Sequence, residues 1–196
     1  MDDALESRFK STTAANTMSV QVQDHASIAA VIAGISGSGK TTLFEKLIRR
    51  EERTAKWIFL FDHKQGDLAR RFKVRPCFDD SDLFAAIERG GFVIFSPAKH
   101  FAGKPDEGFN FFSAFVWDVC QQLRGRKIFG SDELDALVDN RSEPEELCKI
   151  LDQGRTFQID CYFIAQAMNG IHNQVRKQMK EIFCIHAGRQ EWDGLA

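Results

Sequence analysis

The chain has 196 residues, 43% hydrophobic and 28% charged, a length that fits one domain and buries enough surface to need no disulfide staples. Its formal net charge is −2 and its pI about 6.2. That excludes a global basic field for nucleic acid, so any DNA contact must come from a local patch or a ring of subunits. Five cysteines with no CxxC pair read as reduced thiols rather than zinc ligands. No apolar run reaches the length of about 18 residues that a membrane span requires.

Residues 1–25 are rich in Ser, Thr, Ala, Gln and Asp and lack the apolar stretch of a signal peptide. They read as a flexible arm, either plainly disordered or carrying one short strand at 19–23. Residues 26–196 then read as the folded domain. Six apolar runs recur at 28–33, 57–61, 92–95, 127–129, 161–165 and 182–185. They are continuous rather than alternating, the mark of parallel strands covered on both faces.

Helical patterns lie between the runs. Leu43, Leu47 and Ile48 follow a glycine loop at helical spacing. Residues 96–110, with Pro97, Gly103, Pro105 and Gly108, are the longest irregular stretch and read as a functional or mobile loop. Phe112, Phe115, Val116, Val119 and Leu123 then form a stripe with a period of about 3.6 residues. Ser142 and Glu145 make a capping box with Pro144 in the first turn, and Leu147, Ile150 and Leu151 give that helix its buried face. The 18 Phe read as core filler. Alternation of this kind predicts an α/β fold, a mainly parallel central sheet with helices on both faces.

Residues 34–41 read Gly34-Ile35-Ser36-Gly37-Ser38-Gly39-Lys40-Thr41, a full match to GxxxxGK[ST] with a predicted strand before it and a helix from Thr42 after it. Glycines let the backbone wrap phosphates, amide hydrogens point inward, and the helix start adds positive potential. Lys40 would meet the β- and γ-phosphates of ATP and the Thr41 hydroxyl a magnesium ion, with Gly34, Ser36, Gly37, Ser38, Gly39 and Thr42 around the nucleotide. Such a loop also needs an acid for magnesium and a base for the attacking water. Asp132 and Glu133, following 127–131, are assigned those roles in that order. Gly130 and Ser131 interrupt the strand, so the same acids could instead open a helix beginning at Ser131. Asp118 is a rival acid, but it lies within the 112–123 stripe.

Trp57–Phe61 continues as Asp62-His63-Lys64-Gln65-Gly66-Asp67. This resembles the "apolar strand, Asp-Pro-Lys-Gly-Glu" motif of the FtsK/HerA superfamily of DNA-pumping ATPases, with His63 in place of proline and Gln65 inserted. Gly154-Arg155-Thr156, then an apolar strand ending at Gln166, resembles a second motif of that superfamily. The resemblance spans roughly residues 28–187 and implies a RecA-like P-loop NTPase fold. It also implies Gln166 as a γ-phosphate sensor and Arg155 as an arginine offered to a neighbouring subunit. By residue type alone, Arg155 could be a helix C-terminal cation, Gln166 a strand-end hydrogen-bonder, and Asp62 and Lys64 a simple pair.

In length the chain is most similar to genome-packaging ATPases of tailless, internal-membrane viruses and phages. That likeness implies a homo-oligomer, a ring of six subunits, double-stranded DNA as partner, and contact with capsid or membrane vertex proteins. It places the protein in the virion or host cytoplasm if viral, and otherwise in the cytoplasm. Arg176, Lys177 and Lys180, or Arg70, Arg71 and Lys73, are candidates to touch DNA phosphates. Two other readings use the same loop: a kinase of a nucleoside or small molecule, and an assembly or secretion ATPase acting on protein.

Overall fold

The computed structural model describes residues 27–64, 66–97, 100–138 and 144–185. The arm at 1–25, Gln65, Ser142 of the capping box and His186 lie outside the described residues. Six parallel strands form one sheet: β1 (Ala29–Ala33), β2 (Trp57–Phe61), β3 (Gly91–Phe95), β4 (Lys127–Ser131), β5 (Ile159–Ala165) and β6 (Glu181–Cys184). Their order is β3-β2-β4-β5-β1-β6. The helices are α1 (Lys40–Glu51), α2 (Asp67–Phe72), α3 (Asp80–Arg89), α4 (Pro105–Cys120), α5 (Leu134–Leu137), α6 (Glu145–Gln153) and α7 (Asn173–Gln178). Among the described residues no helix is long and apolar enough to cross a membrane.

The apolar runs divide their side chains between two cores, because successive strand residues point to opposite faces. Phe59, Phe61, Phe95, Phe129 and Phe163 face one side with Phe109 and Phe112 of α4. There some pack edge-on, as in Phe61–Phe109 at 5.2 Å and Phe129–Phe163 at 5.8 Å, and others stack, as in Phe95–Phe112 at 5.3 Å and Phe109–Phe129 at 5.9 Å. Ile32, Ile58, Leu60, Ile94, Ile128 and Ile164 face the other side, against Phe44 and Ile48 of α1 and Leu68 of α2. Phe therefore supplies most of the bulkiest side chains of one core, beside Val, Leu and Ile residues such as Val93, Val116, Leu147 and Ile150. Cys77, Cys120 and Cys161 are buried, and all five thiols are free. Desolvation pushes the Cys77 thiol up to about 11 and the Cys120 thiol up to about 12, so neither is a nucleophile.

Three local expectations change. Helix α4 begins at Pro105, inside the stretch read as a loop. Proline suits a first helical turn, and Gly108 is there because a Cβ would sit 2.9 Å from Pro97 Cβ. Strand β4 runs through Gly130 and Ser131 rather than stopping at Phe129, so no helix starts at Ser131. Pro144 stands just before α6 instead of within its first turn. Among the described residues, β6 is paired only to β1, and Ile182 and Phe183 on it are exposed.

Gly130 shows why the interruption of β4 is required. A Cβ there would lie 2.4 Å from the Tyr162 carbonyl oxygen on β5 and 3.2 Å from the Phe44 ring of α1. Gly130→Ala is expected to destabilise the fold by about 1–3 kcal/mol, a fall in Tm of about 3–10 °C for a chain of this size. Scanning calorimetry measures it. An unchanged Tm would mean that β4, β5 and α1 separate more easily than their packing implies.

Candidate nucleotide site

The site lies along the C-terminal edge of the sheet, where open α/β sheets place their ligands. Four adjacent strands, in the order β2-β4-β5-β1, each deliver residues there. At about 4.8 Å per strand the span is about 14 Å. From β1 comes the phosphate loop, from β5 Gln166, from β4 Asp132 and Glu133, and from β2 His63 and Lys64. One cleft of about 230 Å³ is lined by Ser36–Thr42, Lys64, Arg71, Asp132, Glu133, Ile164 and Gln166.

The loop turns into α1 at Gly39, whose φ of 94° is left-handed and costs a glycine nothing. No side chain caps α1, so its first amides remain directed at the cleft. Lys40 is buried, and its ammonium folds back to the Gly34 carbonyl and, at 2.7 Å, to that of Ile35. The positive charge therefore sits in the mouth of the loop. The predicted set Ser36, Gly37, Ser38, Gly39, Lys40, Thr41 and Thr42 lines the cleft, whereas Gly34 lies beneath it as the carbonyl partner of Lys40.

The acids follow directly from the end of β4. Ser131 is the last strand residue, in register with Phe61 and Phe163. Asp132 is buried, and its Oδ1 accepts the His63 amide at 2.9 Å. Burial pushes its carboxyl up to about 7 against that amide's pull, and the neighbouring Asp62 and Glu133 push the same way. Glu133 takes a left-handed backbone, φ 49° and ψ 49°, a conformation that costs a non-glycine residue about 1–3 kcal/mol and is found at functional sites. Its Oε1 is 2.6 Å from Lys64 Nζ and accepts Gln166 Nε2 at 3.2 Å, and its Oε2 is 3.4 Å from His63 Nε2. Partial burial raises the Glu133 carboxyl, but Lys64, His63 and Gln166 together hold it below its ordinary value.

Magnesium fits this donor set. It needs oxygen ligands and commonly uses one or two protein groups beside the substrate phosphates. Thr41 supplies a hydroxyl and Asp132 a carboxylate into the same cleft. Burial, and after it the nearby Asp62 and Glu133, raise the Asp132 carboxyl, and a bound cation would offset that cost of holding it charged. No cluster of three His, Cys, Asp or Glu among the described residues can hold a metal by itself, so the nucleotide phosphates would complete the shell.

Residues not singled out as site members from the sequence also shape the cleft. Asp135 of α5 accepts the Gln166 amide at 3.1 Å through both carboxylate oxygens and the Ala167 amide at 3.1 Å, which holds Gln166 over Glu133. An Asp two residues beyond Glu133 carries no signature of this in the sequence. Asp62 and Lys64 do not form a pair of their own. Asp62 is fully buried and accepts the Ala69 amide at 3.1 Å at the start of α2, while Lys64 turns to Glu133. Arg71, grouped above with possible DNA contacts, lines the cleft and bonds Asp67 Oδ2 at 3.0 Å.

Arg155 is not brought to this cleft. It is exposed on the 3-10 turn Gly154–Phe157 before β5, at the opposite edge of the sheet. The seven residues of β5 separate that edge from the site, about 20 Å at 3.3 Å per residue. Asp118 is exposed on α4 and takes no part in the cleft.

No family model and no curated protein matches the sequence. Solved structures do. The fold is similar to the genome packaging NTPase B204 of Sulfolobus turreted icosahedral virus 2 in complex with sulfate, with a TM-score of 0.63 and 16% identity over 86% of this chain and 79% of that one. It is similar to the cytoplasmic domain of EssC, with a TM-score of 0.61 and 16% identity over 86% of this chain. It is also similar to EccC (ATPases 2 and 3) of Thermomonospora curvata in complex with a signal sequence peptide, with a TM-score of 0.54 and 10% identity over 82% of this chain. The chain spans 33% of the EssC chain and 31% of the EccC chain. These likenesses, with the all-parallel sheet, show an α/β RecA-like fold.

Proposed function

We propose that the chain is a magnesium-dependent ATPase that works as a ring and moves double-stranded DNA, packaging a viral genome into a preformed capsid. The observation that carries the ATPase reading is the convergence of Lys40, Thr41, Asp132, Glu133 and Gln166 on one cleft from three separate strand ends. In this reading the loop amides and Lys40 grip the phosphates. Magnesium, held by Thr41 and Asp132, offsets phosphate charge. Glu133 takes the proton of the attacking water, and Gln166, just past the end of the strand between β1 and β4, reads the γ-phosphate and reports it to Glu133. B204 has been seen with AMP, AMPPCP and ATP-gammaS, which supports adenine nucleotides as ligands here.

Arg155 stands about 20 Å along β5 from the edge that carries its own cleft, and in this reading it serves a neighbour's cleft, so the subunits form a ring. The likeness to B204 supports the packaging assignment, and the likeness to EssC keeps a secretion-type motor as the second reading. The direct test is ATP turnover with and without double-stranded DNA. Stimulation supports translocation. Stimulation by a peptide alone would favour a secretion-type motor, as the EccC likeness suggests, and phosphate transfer to a nucleoside would favour a kinase.

For DNA contact, α7 is the better of the two cationic candidates. Lys177 is exposed there, Arg176 is half-buried with a 2.7 Å bond to Asn173, and Lys180 binds the Ser27 carbonyl at 2.9 Å. Arg176→Ala with Lys177→Ala is expected to abolish stimulation by DNA and leave ATP binding unchanged, because neither residue lines the cleft. Stimulation that survives the double substitution removes this patch from the DNA path.

A further inference from the structure

The segment after β2 touches both acids of the cleft. The His63 amide donates to Asp132 Oδ1 at 2.9 Å, and the next residue, Lys64, places its ammonium 2.6 Å from Glu133 Oε1. That oxygen also accepts Gln166 Nε2 at 3.2 Å, and Oε2 faces His63 Nε2 at 3.4 Å. A carboxylate has only about four lone-pair sites. With an ammonium, an amide and an imidazole on it, Glu133 keeps only about one of those sites for a water. Its own backbone is left-handed.

Lys64 itself is not trapped. Its side chain is 49% exposed, against 17% for Glu133, and it lines the cleft with Gly37–Thr41. Its stem is flexible and its ammonium has three donors. A γ-phosphate entering beside the loop offers more charge and more oxygens than one carboxylate does.

We propose that Lys64 is a positioning residue that latches Glu133 until a γ-phosphate arrives and then transfers its ammonium to that phosphate, freeing Glu133 for water. A diphosphate leaves the latch shut. The inference rests on the ATPase reading and adds to it a link between occupancy and the base.

The test is calorimetric titration of the full chain with magnesium-AMPPCP and magnesium-ADP, for wild type, Glu133→Gln, Lys64→Met and the double variant. Glu133 competes with the γ-phosphate for Lys64, so Glu133→Gln should tighten AMPPCP by about 3–5-fold, the worth of one half-exposed ion pair. It should leave ADP unchanged. With Lys64→Met the gain should vanish, and with Lys64→Arg it should persist. Simple charge screening by Lys64 predicts the reverse, because removal of Glu133 then relieves more repulsion when Lys64 is absent. An equal or larger gain in the Met background, or an equal effect on ADP, overturns the latch. A wild-type chain that binds neither nucleotide overturns the ATPase reading itself, a result distinct from a failed latch.

Discussion

Glu133→Gln is expected to lower ATP turnover by about 10²–10⁴-fold, the worth of a positioned general base, while the protein still binds nucleotide. Glutamine matches glutamate in size and keeps an oxygen for the Gln166 amide, so the cleft keeps its shape. What it lacks is a site for the water's proton. The part of the grip made by Lys40 and the loop amides is untouched, because they lie at β1 and α1, two strands away from β4. Phosphate release measured under saturating ATP, beside calorimetric binding, separates the two effects. Turnover near that of wild type would move the base elsewhere in the cleft, and lost binding would mean that Glu133 shapes the cleft and does not act in it.

Arg155→Ala should cost still more, about 10³–10⁵ in rate, or about 4–7 kcal/mol of transition-state stabilisation. The arginine would act across a subunit boundary, so its loss should be repairable by mixing. Lys40→Ala ruins a subunit's own phosphate site and keeps its Arg155. Arg155→Ala keeps the phosphate site and loses the arginine. Each alone should be nearly inactive, and a mixture should regain turnover wherever an intact loop meets an intact arginine. The wild-type specific rate should also climb steeply with protein concentration as rings assemble. Inactive mixtures with a concentration-independent wild-type rate would sink the trans role. Arg155 would then be a cation at the end of α6, which its place after Gln153 also suits.

Much of this architecture was legible in the order of residues. A continuous apolar strand can survive only if both faces are covered, so six such runs with helical patterns between them implied a parallel sheet. The glycine-rich loop was legible because its pattern is local: eight consecutive residues supply the glycines, the lysine and the hydroxyl. Helix α4 was cut short on paper because Pro105, Gly108 and Asn110 look like loop residues. Gly108 is dictated by Pro97, a neighbour that only the packed chain reveals. Gly130 is dictated in the same way by Tyr162. The role of Lys64 was equally hidden. Its partner is 69 positions away, and a bond between side chains that far apart in the chain leaves no spacing to read.

The sequence by itself determined the glycine, lysine and hydroxyl pattern of residues 34–41 and that the strands run parallel, because both follow from short-range order and from the two-residue alternation of a buried strand. The tertiary structure decided the strand order β3-β2-β4-β5-β1-β6. It thereby decided that Gln166 stands between the loop and the acids, that Asp135 holds it there, that Lys64 closes on Glu133, and that Arg155 faces away from its own site. Those pairings depend on which strand ends become neighbours, a choice made by packing across the whole sheet and not by any single segment.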